Sequence, residues 1–198
     1  MICHTSKSIF FSQKTKLNAI GLTWISTAKR EEAATARKAF VSSEGDHITL
    51  LKVYRAFKAS KNEKDFCQHH YVHHRHMQFV LEIRKQLMDL CRKNNVKVQS
   101  APQGDGAEAV RRALSRGLYT NVAKLTREGH YVTLDSRQQV RIHPSSVMFQ
   151  SKPELVIFTE LLSTQKSWIR DLSLVDSIWL MQDQPEYFRK HRIVQMSN

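Results

Sequence analysis

The most chemically dense stretch of this 198-residue chain is His69-His70-Tyr71-Val72-His73-His74-Arg75-His76, with Cys67 just ahead of it. On a helix, His69/His73 and His70/His74 are i,i+4 pairs, and two imidazoles on one face can share a metal ion. A closed site needs four ligands, however, and no second Cys/His pair at ligand spacing follows. The glutamate of a zinc-protease HExxH helix is also missing between the histidines. What remains is a partly exposed helix whose charge rises on acidification, with no metal assigned. Nucleophilic catalysis has no better support, because Cys67 and Cys91 fall on expected helices with nothing nearby to depress a thiol pKa. Paired carboxylates at a common site are not discernible, and no GxxxxGK[ST] phosphate loop occurs. No catalytic residue is assigned.

Basic and aromatic residues between Val140 and Arg170 are the better lead. His143, Ser145 and Ser146 follow a short strand pattern, while Lys152, Lys166 and Arg170 flank the apolar run Leu155-Val-Ile-Phe-Thr-Glu-Leu-Leu162. Tyr119, Tyr131, His143, Phe149, Phe158 and Trp168 are available for stacking, although core packing is the favoured job for Phe149 and Phe158. A cationic groove interleaved with aromatic rings is how small barrels grip a single-stranded polyanion. A merely solvated face is the competing reading for each cation.

Composition agrees with a polyanionic partner. The chain carries 31 Lys and Arg against 18 Asp and Glu, a formal net charge of +13, and the surplus is densest over residues 46–100. No run of about 18 apolar residues exists, so no membrane span is expected. Residues 1–11 are broken by His4, Ser6 and Lys7 and do not read as a signal peptide. Three widely spaced cysteines, an odd number, point to a reducing, intracellular compartment rather than a disulfide framework.

Two regions must position these residues. Helix formers fill residues 28–40, with acidic residues early and basic residues late, as the helix dipole prefers. Ser42-Ser43-Glu44-Gly45 is a breaker, and Asp46 reads as the N-cap of a helix to about residue 58. Asp65 reads as the cap of a second helix running through the histidines. A third spans residues 78–93, with Val80, Ile83, Leu87, Leu90 and Cys91 as its apolar stripe. Pro102, Gly104 and Gly106 mark a linker, and residues 107–118 form another helix. Short strands then follow at close intervals, with a final helix around 178–188 interrupted by Pro185. Pro153 and Ser163-Thr164 favour a strand for the apolar run. The expected fold class is α+β: a small helical bundle, then a five-stranded barrel with flanking helices.

An ordered set of motifs resembles one family. Ser43-Glu-Gly-Asp-His-Ile-Thr-Leu-Leu51, Phe66-Cys67 and Ile83-Arg-Lys-Gln-Leu87 resemble the helicase-associated, ratchet-like helical domain of DEAH-box ATP-dependent RNA helicases. Val110-Arg-Arg-Ala-Leu114, Asn121-Val-Ala-Lys-Leu125, Ile142-His-Pro-Ser-Ser-Val147, Leu155-Val-Ile-Phe-Thr-Glu160, Thr164-Gln-Lys, Trp168-Ile-Arg-Asp171 and Trp179-Leu180 resemble that family's C-terminal oligonucleotide-binding fold. Together they cover residues 30–188 in the family's order. Ser6-Lys-Ser-Ile-Phe-Phe11 is similar to the preceding piece of the helical domain, whereas residues 17–28 match nothing in it.

The resemblance implies residues 1–28 as an atypical N-terminal segment, 29–100 as the helical domain, 107–188 as the oligonucleotide-binding fold and 189–198 as a basic tail. It implies single-stranded RNA as partner, with motor domains in cis and protein regulators, in the nucleus or nucleolus. ATP and magnesium would belong to the motors of the parent helicase, whose phosphate loop and acidic box are not among these residues. The expectation is therefore a chain that does not hydrolyse ATP alone. A non-enzymatic docking module is the alternative. Phosphate contacts are expected from Lys152, Lys166 and Arg170, with His143, Ser145 and Ser146 on a loop near the strand.

Overall fold

The computed structural model describes residues 30–99, 106–163 and 165–191. The expected segment 1–28, the centre of the linker and most of the basic tail lie outside the described residues. The chain divides into a helical unit and a second unit made of Val41–Leu51 and the residues from 101 onward.

The helical unit contains α1 (Arg30–Lys38), the part of α2 (Asp46–Ala59) from Lys52, α3 (Glu63–His69) and α4 (His74–Lys93). Phe40, Val53, Phe57, Cys67, Val72 and Met77 form its core, with Tyr54, Phe66 and Leu81 packed against it. α3 is capped by Asn62 rather than Asp65: the Asn62 Oδ1 accepts from the amides of Lys64 and Asp65 at 3.1 and 3.3 Å.

The histidine segment is not one helix, contrary to the sequence expectation. α3 stops at His69, Tyr71 takes a left-handed φ of 56°, and α4 restarts at His74. The Val72 amide donates to the Cys67 carbonyl at 2.9 Å and the Tyr71 amide to Gln68 at 3.4 Å. This is a Schellman stop with tyrosine where glycine is usual, and its Val72–Cys67 contact sits in the core. The break destroys the i,i+4 spacing that a metal pair would need. The His70 ring instead packs 5.0 Å from Phe40 and 4.5 Å from Phe66, while His69 Nδ1 donates to the Asp65 carbonyl at 2.7 Å. Among the described residues no group of three His, Cys, Asp or Glu converges on a metal position.

The second unit is a closed barrel ordered β1-β2-β3-β5-β4, built from β1 (Val122–Leu125), β2 (Tyr131–Thr133), β3 (Gln139–Ile142), β4 (Leu155–Ser163) and β5 (Ser167–Leu174). β3 pairs with β5 in parallel, and every other pairing is antiparallel. α5 (Gly106–Gly117) precedes the barrel; α6 (Ser177–Asp183) and α7 (Pro185–Lys190) follow it, with Pro185 opening α7 where its missing N–H costs nothing. The apolar run 155–162 is a strand, as expected, and its first half is continuous because both faces are covered. Val156 and Phe158 join Ala123, Tyr131, Val140, Ile142, Met148, Ile169 and Leu172 inside the barrel. Leu155 and Ile157 turn the other way, onto Leu180, Phe188 and the half-buried Leu114 and Trp179 of the flanking helices. Arg116 clasps Asp183 through two 3.0 Å bonds between α5 and α6, which holds the Asp183 carboxyl below the usual range. No described helix is long and apolar enough to cross a membrane.

The segment from Glu44 to His47 packs along the end of β5. The Leu174 amide donates to the Glu44 carbonyl at 3.0 Å, Gly45 bridges Ser173, and His47 Nδ1 lies 2.9 Å from the Ser173 hydroxyl. The segment thereby covers the end of β5, beyond the residues Trp168 and Ile169 that pair with β3. Asp46 is the first residue of α2, and its carboxylate does not cap that helix as the sequence suggested. It accepts instead from Ser146, Val147 and Leu172, about a hundred residues or more away.

Candidate nucleic-acid interface

Strict alternation builds the outer side of β3. Along β3 the exposures run exposed, buried, exposed, buried, so Val140 and Ile142 enter the core while Gln139 and Arg141 face out. Parallel pairing sets Arg141 against Trp168 and Ile142 against Ile169. On the other edge of β5, Trp168 pairs with Leu162 and Arg170 with Glu160. Arg141 and Trp168 therefore stand side by side, and Arg170 and Glu160 face each other farther along β5.

The loop after β3 joins this surface. The His143 amide donates to the Ile169 carbonyl at 3.0 Å, and the His143 and Trp168 rings meet edge to face with centroids 5.9 Å apart. His143 Nδ1 accepts from the Ser145 amide at 3.2 Å and lies 2.7 Å from its hydroxyl. The indole provides a π face, with the imidazole edge-on against it and a guanidinium beside it. That is the arrangement on which a base can stack while its phosphate meets a cation.

The expected site residues are distributed unevenly. His143 and Ser145 stand on this face, and Lys166 is exposed in the turn that leads into β5. Arg170 is neutralised, with Nη1 3.4 Å from the Glu160 carboxylate and both side chains largely covered. Lys152 is exposed at the far end of the loop, with a left-handed φ of 41°. Ser146 faces inward instead: it is 8% exposed and its hydroxyl donates to Asp46 at 2.6 Å. Of the expected stacking residues, Tyr131 is buried and donates to the Pro153 carbonyl, Phe158 is buried in the core, and Tyr119 packs edge to face on Tyr187. Burial raises the Tyr131 phenol pKa. Phe149 is 43% exposed, which overturns its expected core role.

Arg141 was missed. It is exposed, and no carboxylate among the described residues pairs with it. The signal was present in the alternation Gln139-Val140-Arg141-Ile142, which demands that an arginine preceding a buried isoleucine point out.

Comparison with known proteins agrees with the barrel. Residues 110–187 match the oligonucleotide/oligosaccharide-binding (OB)-fold family. The chain is 47% identical over 163 residues to ATP-dependent RNA helicase DHX33 of Homo sapiens, covering 82% of this chain and 23% of that protein. It is 37% identical over 175 residues to pre-mRNA-splicing factor ATP-dependent RNA helicase DEAH10 of Arabidopsis thaliana, covering 81% and 24%. A third relative, pre-mRNA-splicing factor ATP-dependent RNA helicase prp22 of Schizosaccharomyces pombe, is 37% identical over 162 residues, 81% of this chain and 14% of its own. The chain thus spans a quarter or less of the length of these relatives. An OB barrel of this topology, joined to a helical unit that falls within the same alignments, is consistent with the C-terminal region of a DEAH-box RNA helicase.

Proposed function

We propose that this chain guides single-stranded RNA for a DEAH-box ATP-dependent helicase motor. The observation that carries the reading is the register of Arg141 against Trp168, which sets an exposed guanidinium beside an indole on the barrel's outer face. Phosphates meet Arg141 and Lys166, and a base stacks on Trp168 with His143 at its edge. Such contacts read backbone and π faces rather than base edges, so binding is strongly salt-dependent and tolerant of sequence. The net charge of +13 supports the same reading.

In this reading residues 29–100 form the helicase-associated helical domain, and the motor domains act in cis. ATP and magnesium belong to those motors, and no step of hydrolysis is routed through residues of this chain. The nucleus or nucleolus is the proposed compartment, in keeping with the splicing-factor names of two relatives.

Titrating the 198-residue chain with single-stranded RNA at low and moderate salt tests the proposal. An Arg141→Ala, Lys166→Ala double variant should weaken binding and flatten its salt dependence. Unchanged affinity and slope would remove the assignment. The non-enzymatic docking reading draws on Ile178 of α6, which is 61% exposed; it takes precedence if the intact chain binds RNA at neither salt concentration.

A further inference from the structure

Asp46 lies outside the matched OB region yet makes three bonds into it. Its side chain is 7% exposed. Oδ2 accepts from the Ser146 hydroxyl at 2.6 Å and the Leu172 amide at 2.9 Å, and Oδ1 accepts from the Val147 amide at 2.8 Å. No arginine or lysine pairs with it among the described residues, so backbone and hydroxyl dipoles alone hold this buried negative charge. A carboxylate so placed is costly to bury unless its donors are held in good geometry, and the shortness of its bonds fits charge assistance.

Those donors belong to the loop of the proposed RNA face. The loop is fixed at one end where the His143 amide meets Ile169. It is fixed again at Ser146 and Val147 by Asp46, and the Ser146 hydroxyl also accepts from the Met148 amide at 3.1 Å, turning Met148 into the barrel core. His143 and Ser145 hang between the two fixed points, one beside Trp168 and the other exposed. The bonding runs inward from the loop, while its contacting side chains face outward.

Building on the RNA reading above, we infer that Asp46 is a positioning residue for RNA: it orders residues 143–147 so that His143 and Ser145 meet the strand without first paying to be immobilised. Ordering a contact loop in advance raises affinity by removing that cost from binding. In Asp46→Asn, an amide NH2 replaces one of the two accepting oxygens, which leaves either the Leu172 or the Val147 amide facing a donor. The loop then loses a fixed point while Arg141 and Lys166 stay in place.

The test is a double-mutant cycle on the full chain, with an oligouridylate of about 12 nucleotides as probe. Asp46→Asn is expected to weaken binding about tenfold. Adding His143→Ala to it should cost almost nothing more, because the histidine is already unplaced, whereas adding Arg141→Ala should cost its full single-variant effect. Unchanged binding in Asp46→Asn overturns the inference. So does full additivity with His143→Ala, which would mark general damage to the barrel. If Asp46→Asn does not fold, Ser146→Ala, which keeps both amide bonds, takes its place; it should lose about threefold with the same non-additivity, and additivity or no loss overturns the inference. Should His143→Ala and Arg141→Ala each leave wild-type binding untouched, the RNA face itself is wrong and this inference goes with it.

Discussion

Arg141 and Arg170 carry the same guanidinium, but among the described residues only Arg170 faces a carboxylate, Glu160 at 3.4 Å. Arg141→Ala should therefore reduce the salt slope of RNA binding by about one, and Arg170→Ala by less. Glu160→Gln should do the opposite, tightening binding by releasing Arg170; a titration showing no gain would mean that Arg170 does not reach the strand. Trp168→Ala should cost about 1–3 kcal/mol of binding, the worth of one stacked base. His47 supplies a pH dependence of a different kind. Burial lowers its pKa from 6.5, against the opposing pull of Asp171 and Asp46. The folded barrel thus favours neutral imidazole, and the unfolded chain takes up the proton more readily. Stability is full above about pH 6.5 and falls as the pH drops toward the lowered native value. His70, lowered by burial in the helical unit, adds in the same direction. Melting at pH 7.5 and 5.5 should show the loss, and His47→Gln should reduce it.

At the scale of elements, Gly45 shows why the segment before α2 must be glycine at that point. Its φ is +125°, and a Cβ there would lie 2.3 Å from the Leu172 carbonyl oxygen. Gly45→Ala should destabilise the barrel by roughly 2 kcal/mol or more, read as a drop in melting temperature. Gly129→Ala, at φ +83° with nothing within 4 Å, should cost only about 1 kcal/mol of backbone strain. These two glycines also mark what could be read from the sequence. Gly129, after Glu128, is a turn signal in the local pattern, and the apolar run 155–162 was legible as a strand from Pro153 and Ser163-Thr164 at its ends. Gly45 and Asp46 also looked local, as a breaker and a cap, because their partners lie about a hundred residues downstream. Ser146 reads as part of an RNA-contacting loop for the same reason, since nothing near it in the chain shows the carboxylate that draws it inward. The histidine run misled through periodicity: its spacing fits a helix, but Tyr71 in the left-handed region ends α3, and no residue type there signals that stop. Arg141 was legible too, as the outward position of an alternating strand rather than as a cation at the ends of the apolar run.

For the molecule as a whole, the barrel belongs to a discontinuous unit that joins the matched residues 110–187 to Val41–Leu51. A chain beginning at residue 52 should keep all five strands yet lose cooperative melting, since β5 is uncovered and Ser146, Val147 and Leu172 lose their acceptor. A sharp transition and native amide spectrum from that fragment would show the segment to be dispensable. The same discontinuity has a consequence in time. Asp46 and the Leu172 amide are 126 residues apart, so at about 5–20 residues per second a ribosome delivers the second some 6–25 seconds after the first. For most of that interval, until Ser146 and Val147 are made, the carboxylate has none of its donors, and the set of three is complete only when nearly the last of the strand residues has been synthesised.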